Sequence, residues 1–474
     1  MSHIQYKIIK NKKYAYEMTS RWDKEKKQSR SVSKYLGPVD PDTNKVVTFV
    51  KKHKGNEKII LDFGDGYFLY EWIKKSEYYG LFNAHIFEKI PGLFALIICR
   101  LCTQLSMYNC ENWYTGNVIS CLFKNIDLSS QRISDMLSCL GDESMQRLFF
   151  IDYVKLVGGS DRPIIIDATS LPNQIDIDFN AWGHADGKID KQFRLLCVID
   201  QISKTPLFYR FLPGNIIDVS TLQATILELA AMGVNNSFIL IDAGYFSEQN
   251  ILDLYEKKID FLTRLPGGRK IYNDIILEKA SEIENLQNAN VMGDRSYFVK
   301  SFEIDLYGKK AYAYVVLDPE RKAKEIKKLL QNFCKNKSQQ AGDADEFEFA
   351  NCGIMILVSS KKISSDEVLS VYYLRLSVEQ IFCHSKSDLG LLPIRNHNEN
   401  TVRGYLFLQF LLLILYLKIR NTIPDGHTVE QVLLTLRKLK CKLFDRRLIV
   451  SELSKNQKAI FDKSEILVPN FLGI

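Results

Sequence analysis

Pro163-Ile164-Ile165-Ile166-Asp167-Ala168-Thr169 is a short apolar run, rich in β-branched side chains, that closes on a carboxylate. Branched side chains favour extended backbone and pack well on a pleated surface, so the run reads as a buried strand ending at Asp167. Ser237-Phe238-Ile239-Leu240-Ile241-Asp242-Ala243-Gly244 repeats the design and predicts a second buried strand ending at Asp242. The 75-residue separation of the aspartates leaves room for two more strands and a crossover helix, which predicts an α/β sheet. Side chains just past the strand ends of such a sheet line its crevice.

Tyr372-Tyr373-Leu374-Arg375-Leu376-Ser377-Val378-Glu379-Gln380-Ile381-Phe382-Cys383-His384-Ser385-Lys386 sets a phenol, two cations and a carboxylate at the spacing Y-x2-R-x3-E-x6-K. At about 3.6 residues per turn, Tyr372, Arg375, Glu379 and Lys386 project from nearly one side of a single helix. Val378, Ile381, Phe382 and Leu389 are then free to pack a core from the other side. Each piece alone has an ordinary explanation. A strand-terminal Asp before Thr or Gly is a common turn former or helix cap, and a charged helix edge is commonly just solvated. Together and in this order, Asp167, Asp242 and Glu379 form a candidate set of hard oxygen ligands for divalent ions. Two such ions, roughly 3.5–4 Å apart, can activate an attacking oxygen and stabilise a departing one in phosphodiester cleavage or strand transfer.

With those residues in hand, the chain resembles a family. Asp167, Asp242 and Glu379, with Tyr372, Arg375 and Lys386, look like the DDE triad and Y-R-E-K signature of bacterial insertion-sequence transposases that cut and paste through hairpin intermediates. Gly183 to Lys188, Phe193 to Asp200 and Phe211-Leu212-Pro213-Gly214-Asn215 with Asp218 resemble this family's segment between the first two aspartates, and Asp242 to Ser247 its block around the second. The similarity covers roughly residues 160–265 and 355–420. It implies an α/β fold with a ribonuclease H-like catalytic core interrupted by a β-rich insertion; outside the similarity, the residues themselves read as a strand-rich and helical N-terminal region and a helical C-terminus. It also implies two divalent metal ions, Mg²⁺ or Mn²⁺, on Asp167, Asp242 and Glu379 as catalytic residues, with Tyr372, Arg375 and Lys386 as DNA-binding residues. The implied partners are double-stranded DNA, as transposon terminal inverted repeats and target, and a second copy of the chain in a dimeric synaptic complex.

The separation of Asp242 from Glu379, 137 residues, is too long for a simple connection. The resemblance implies an insertion there, and Ser296 to Ile304 followed by Lys310 to Leu317 reads as strands. The expected organisation is a basic strand-rich region at 1–60, a helical, DNA-binding region at 61–160, the catalytic core at 161–265 and 357–420, the insertion at 266–356 and a helical region at 421–474. Hairpin-forming members can hold a flipped base with an aromatic side chain in the insertion. Trp22, Trp72, Trp113 and Trp182 all lie outside 266–356, which leaves Tyr297, Phe298, Tyr312 or Tyr314 as substitutes.

Length and composition suit several domains with real cores: 474 residues, 46% of them hydrophobic. The formal charge of +7 is unevenly spread, because residues 1–60 hold 15 Lys and Arg against 6 Asp and Glu, leaving 48 against 50 for the rest. Tyr6 to Ile9, Tyr14 to Met18 and Ser31 to Leu36 read as strands of a small sheet in which basic and aromatic residues interleave. That composition suits phosphate contact, and it suits a solvated small sheet equally well. Residues 66–160 turn helical, with an apolar stretch at Leu93 to Leu105 and a weak helix-turn-helix signal at Asp127 to Leu137.

Met1-Ser2-His3-Ile4 opens on no apolar leader, and Gly404 to Leu417, the most lipophilic run, is 14 residues long and bounded by Arg403 and Lys418. A buried helix and a cytoplasmic, nucleoid-associated prokaryotic protein are expected. The ten cysteines are scattered and form no paired C-x2-C set, and Cys99 and Cys102, a lone C-x2-C in an apolar stretch, read as core thiols rather than metal ligands. His184 and His384 lie near the catalytic segments without an assigned role. Thr428 and Gln431 have capping-box spacing before an apolar stripe of Val429, Val432, Leu433, Leu436 and Leu439. Two other readings stand beside the transposase: a structure-directed, metal-dependent DNA nuclease, and a catalytically inactive DNA-binding descendant.

Overall fold

The structure, a computed structural model, describes residues 2–9, 12–23, 28–39, 46, 59–158, 161–185, 188–279, 283–335, 343–444 and 447–473. By compactness the chain divides into one unit of residues 1–61, 441–451 and 469–474 and another of residues 62–440 and 452–468.

In the first unit, β1 (Ser2–Ile9), β2 (Lys12–Asp23) and β3 (Gln28–Pro38) form an antiparallel meander that contains all three expected N-terminal strands. It has almost no interior: Ile4, Ile8, Trp22, Val32 and Tyr35 are all exposed. Its cohesion comes from cross-strand aromatics and cations. Tyr35 lies 6.1 Å from Tyr14 and 5.3 Å from Tyr16, Lys7 covers Tyr16 and Lys13 covers Tyr6. The strand β4 (Ile59–Asp62) closes a second small sheet with strands from the C-terminus.

The second unit is built on a ten-stranded sheet. The strands β5 (Asp161–Pro172), β6 (Ala181–Ala185), β7 (Lys188–Asp200) and β8 (Pro206–Pro213) are antiparallel neighbours. Helix Leu222–Ala231 then crosses over to β9 (Asn235–Ile241), which lies parallel to β5, and helix Glu248–Glu256 crosses to β10 (Asp260–Arg264), parallel to β9. The order β8-β7-β5-β9-β10, three antiparallel strands and then two parallel to the first, is the ribonuclease H-like arrangement.

The segment after β10 extends this sheet. The strands β11 (Ala289–Met292), β12 (Arg295–Leu306) and β13 (Lys309–Leu317) run antiparallel, and β14 (Ile354–Ser359) pairs with both β13 and β10. The strands anticipated at 296–304 and 310–317 are thus β12 and β13, joined edge to edge with the catalytic sheet. Between β13 and β14 stand helices Pro319–Lys335 and Asp343–Ala350. Tyr297 and Tyr314 are buried in the sheet, whereas Phe298 and Tyr312 are partly exposed.

Helix Glu399–Arg420 carries the lipophilic run. It is long and apolar enough to cross a membrane, yet 83% of its most apolar window is buried inside the fold. Helix Ser130–Leu140 crosses it so closely that a Cβ on Gly404 would stand 1.8 Å from the Leu137 carbonyl oxygen. Ile133, Met136, Leu137 and Leu140 are buried, which commits the apolar face of the supposed helix-turn-helix to the core. At the C-terminal end the Thr428–Gln431 capping box forms, and the stripe from Val429 to Leu439 is buried as expected. The strands β15 (Lys440–Phe444), β16 (Arg447–Val450) and β17 (Phe471–Gly473) complete the sheet with β4, and helix Lys455–Lys463 lies between β16 and β17.

Candidate active site

Register brings the two aspartates together. Ile166 of β5 pairs with Ile241 of β9, so Asp167 and Asp242 are the next residues on neighbouring parallel strands, which lie about 4.8 Å apart. Asp242 follows the last residue of β9, as expected. Asp167 does not end its strand: β5 continues to Pro172 because β7 keeps pairing with it, from Asp167 opposite Cys197 to Pro172 opposite Gln192. What stops at Asp167 is the pairing with β9.

The Y-R-E-K segment is not one regular helix. It divides into Val368–Tyr373 and Leu376–Cys383, then widens into a π turn at His384–Asp388. Between the helices, the N–H groups of Leu374, Arg375, Ser377 and Val378 bond carbonyls three residues back rather than four, a tighter winding. In the π turn, Leu389 N–H reaches back five residues to His384 O. Val378, Ile381, Phe382 and Leu389 are buried, as the apolar pattern predicts.

Arg375 is the hub of the site. Its Nη1 lies 3.0 Å from Asp167 Oδ2, its Nη2 3.4 Å from Glu379 Oε1 and its Nε 4.0 Å from Asp242 Oδ1. Tyr372 donates its hydroxyl to Asp242 Oδ1 at 3.3 Å, with its ring 6.0 Å from the guanidinium carbon. Arg375, expected to face DNA phosphates, instead turns its guanidinium inward to the three carboxylates. Lys386 also reaches β5, donating to Thr169 Oγ1 at 2.8 Å and to Ser170 O at 3.2 Å.

Exposure is graded, with side-chain values of 13% for Asp167, 36% for Asp242 and 54% for Glu379. Burial pushes the Asp167 carboxyl up to about 6; Arg375 and the Ala168 N–H pull it down, while Asp242 and Asp218 push it further up. Burial and the Asp242 carboxylate raise the Tyr372 phenol to about 12, so it remains a neutral donor. Burial opposes the charge on Arg375, but Asp242 and Asp167 outweigh it and raise its pKa.

A fourth carboxylate belongs to this neighbourhood. Asp218, in the turn after β8, pairs with Arg194 of β7 at 2.5 Å, and its charge acts on Asp167. Burial first, and Asp242 as well, raise its pKa against the pull of Arg194. Its only signal in the sequence is its place after Gly214-Asn215, which names no partner. His384 binds Asp388 Oδ2 and Arg420 Nη1, both at 2.6 Å, and so serves the π turn; His184 is an exposed residue of β6. Cys99 and Cys102 are buried free thiols.

Among the described residues, no group of three or more His, Cys, Asp or Glu lies close enough to hold one ion. Arg375 stands between the three candidate ligands. The donor set still fits a divalent cation: three hard carboxylates set against one guanidinium leave net negative charge, and a cation would relieve the mutual repulsion that helps hold the Asp167 carboxyl up.

A family model described as the transposase DDE domain matches residues 158–415, more than half of the chain. No curated protein matches. Among solved structures, the piggyBac transposase synaptic complex with hairpin DNA, determined by cryo-electron microscopy, is similar over 79% of each chain, at 10% identity and a TM-score of 0.42. The Drosophila P element transposase strand transfer complex is similar over 65% of this chain and 69% of that one, at 11% identity and a TM-score of 0.18.

Proposed function

This chain belongs to the DDE-domain transposase family, and from that premise we propose that it cleaves and joins DNA strands at the ends of its own insertion sequence, using Asp167, Asp242 and Glu379. The observation that carries the assignment is that carboxylates from a strand, a strand end and a distant helix all meet one guanidinium. A fold alone would not need that convergence, because burying like charges together costs stability.

The family is divalent-metal dependent in general. We propose that Mg²⁺ or Mn²⁺, two ions as in other two-metal sites, are held by the three carboxylates. Such ions supply charge stabilisation for the attacking and departing oxygens of a phosphodiester exchange. The protein's own groups orient and neutralise. Tyr372 keeps its proton and donates to Asp242 Oδ1, fixing which carboxylate oxygen stays free. Lys386 ties the π turn to Thr169 and Ser170, two and three residues beyond Asp167, and offers a cation to a phosphate at the same level. Arg375 holds the three carboxylates together, and its planar fork would equally suit a phosphate.

The substrate is double-stranded DNA carrying the element's terminal repeats, and paired ends imply a homodimer. The test uses duplexes of the inverted repeats that flank the gene. Asp167→Ala, Asp242→Ala and Glu379→Ala should each abolish Mg²⁺-dependent end cleavage while gel-shift binding persists. Cleavage surviving any one of them would remove that residue from the site, and cleavage without strand joining by the unaltered protein would make it a nuclease.

A further inference from the structure

Beside Lys386 lies a cleft of about 730 Å³, set between the Met107–Asn109 turn, helix Ser130–Leu140 and the segment after the π turn. Its cations are Arg100, Lys386 and Arg395, with the His397 imidazole beside them, and no Asp or Glu lines it. A neighbouring cleft that shares some of the same loops is lined by both signs, with Asp388 and Glu430 among its residues. The absence of acids therefore distinguishes this wall from that neighbour.

Arg100 forms the floor. It is 6% exposed, its Nη1 donates to Leu105 O and its Nη2 to Leu389 O at 3.0 Å, and its Nε has no partner among the described residues. A buried guanidinium held only by carbonyl oxygens carries an uncompensated charge, which is costly unless an anion reaches it. At the rim, Arg395 is exposed and makes no ion pair or hydrogen bond among the described residues. The charges of Arg100 and Arg395 both reach Tyr405, whose phenol burial raises and these cations pull back. Tyr108, 76% exposed, offers a ring at the mouth.

We propose that this cleft carries the phosphate backbone of the DNA onward from the catalytic carboxylates, with Arg100, Lys386 and Arg395 on successive phosphates and Tyr108 against a base. The proposal rests on the reading of the chain as a transposase. Lys386 provides the continuity, since it lines the cleft and also bonds the strand that carries Asp167. A row of cations beside an aromatic ring suits a polyanion with stackable bases better than it suits a single small anion.

The test measures binding of the full chain to a fluorescein-labelled duplex of the element's end across a salt series. Arg395→Ala should weaken binding about tenfold or more and reduce the slope of log K against log salt by about 1. Arg395→Lys should retain the slope, and Tyr108→Ala should lower affinity with the slope unchanged. Lys324→Ala, an exposed cation on a helix away from the cleft, should have no such effect. Thermal unfolding of each variant separates weakened DNA binding from a damaged fold. If the unaltered chain binds and cleaves ends while Arg395→Ala and His397→Ala bind identically to it, the cleft is not the DNA path and the catalytic assignment survives. If the unaltered chain binds no DNA at all, both fall. A change in dimerisation by light scattering, with DNA affinity unaltered, would make the cleft a protein interface and overturn the proposal.

Discussion

Removing the guanidinium of Arg375 would leave Asp167, largely buried, facing Asp242 and Glu379 with no counter-charge between them. Breaking such a pair on one side costs about 3–5 kcal/mol when the abandoned charge is buried, and the more exposed Glu379 adds little to that. Arg375→Ala should therefore unfold at lower temperature than the unaltered chain in EDTA. If the proposed metal binds these carboxylates, Mg²⁺ should raise the variant's unfolding temperature more than that of the parent, because metal and guanidinium would then compete for the same oxygens. Equal unfolding temperatures in EDTA would mean that the three ion pairs contribute nothing. Arg375→Lys keeps the charge but loses the fork, so it should restore most of the stability and only part of the assembly of paired-end complexes. Lys386→Ala tests the neighbouring cation: it should slow strand processing while the metal response is retained.

At the level of elements, the tightest constraint is the crossing of helices Ser130–Leu140 and Glu399–Arg420. A methyl group on Gly404 would meet the Leu137 carbonyl, and one on Gly141 would stand 2.0 Å from Asn400 O. Gly404→Ala should cost about 1–3 kcal/mol or more through overpacking, visible as a lower urea midpoint; an unchanged midpoint would mean that the helices separate freely. This crossing is not legible in the sequence, since a glycine in an apolar helix does not say what crosses it. The strands are legible. Ile164 to Ile166 and Phe238 to Ile241 are branched or aromatic runs, and both are buried neighbours in one sheet. The end of β5 differs from the expected one because pairing with β7, a distant partner, decides where that strand stops. Nothing in Tyr372 to Glu379 signals a break in the helix, because the stretch contains no Gly or Pro. Its tight turn and the π turn beyond it arise from tertiary fit, which leaves Arg375 turned inward and Lys386 against Thr169 and Ser170. That inward turn is the part of the site least visible in the sequence, as spacing gives the face of a residue and not its partner.

Across the whole molecule, charge and chemistry are separated along the chain. The basic excess lies in residues 1–60, whereas the three carboxylates belong to the ribonuclease H-like sheet and its helix. The small N-terminal sheet exposes Lys7, Lys34, Tyr35 and Trp22 with little core of its own. Deleting residues 1–38 should therefore leave the fold of residues 62–440 intact by circular dichroism. It should also flatten the salt dependence of end binding by roughly 0.9 for each phosphate that the shortened chain no longer neutralises; an unchanged slope would assign end recognition to the other unit. The central claim is that residues far apart in sequence jointly hold the metal that the chemistry requires. The most direct measurement is strand cleavage by Asp242→Cys in Mg²⁺ and in Mn²⁺, because a thiolate binds hard Mg²⁺ poorly and tolerates the softer ion better. Joint metal holding by the three carboxylates predicts no cleavage in Mg²⁺ and recovered cleavage in Mn²⁺, on the same duplex and with unchanged DNA binding. Full Mg²⁺-dependent cleavage by this variant would contradict it.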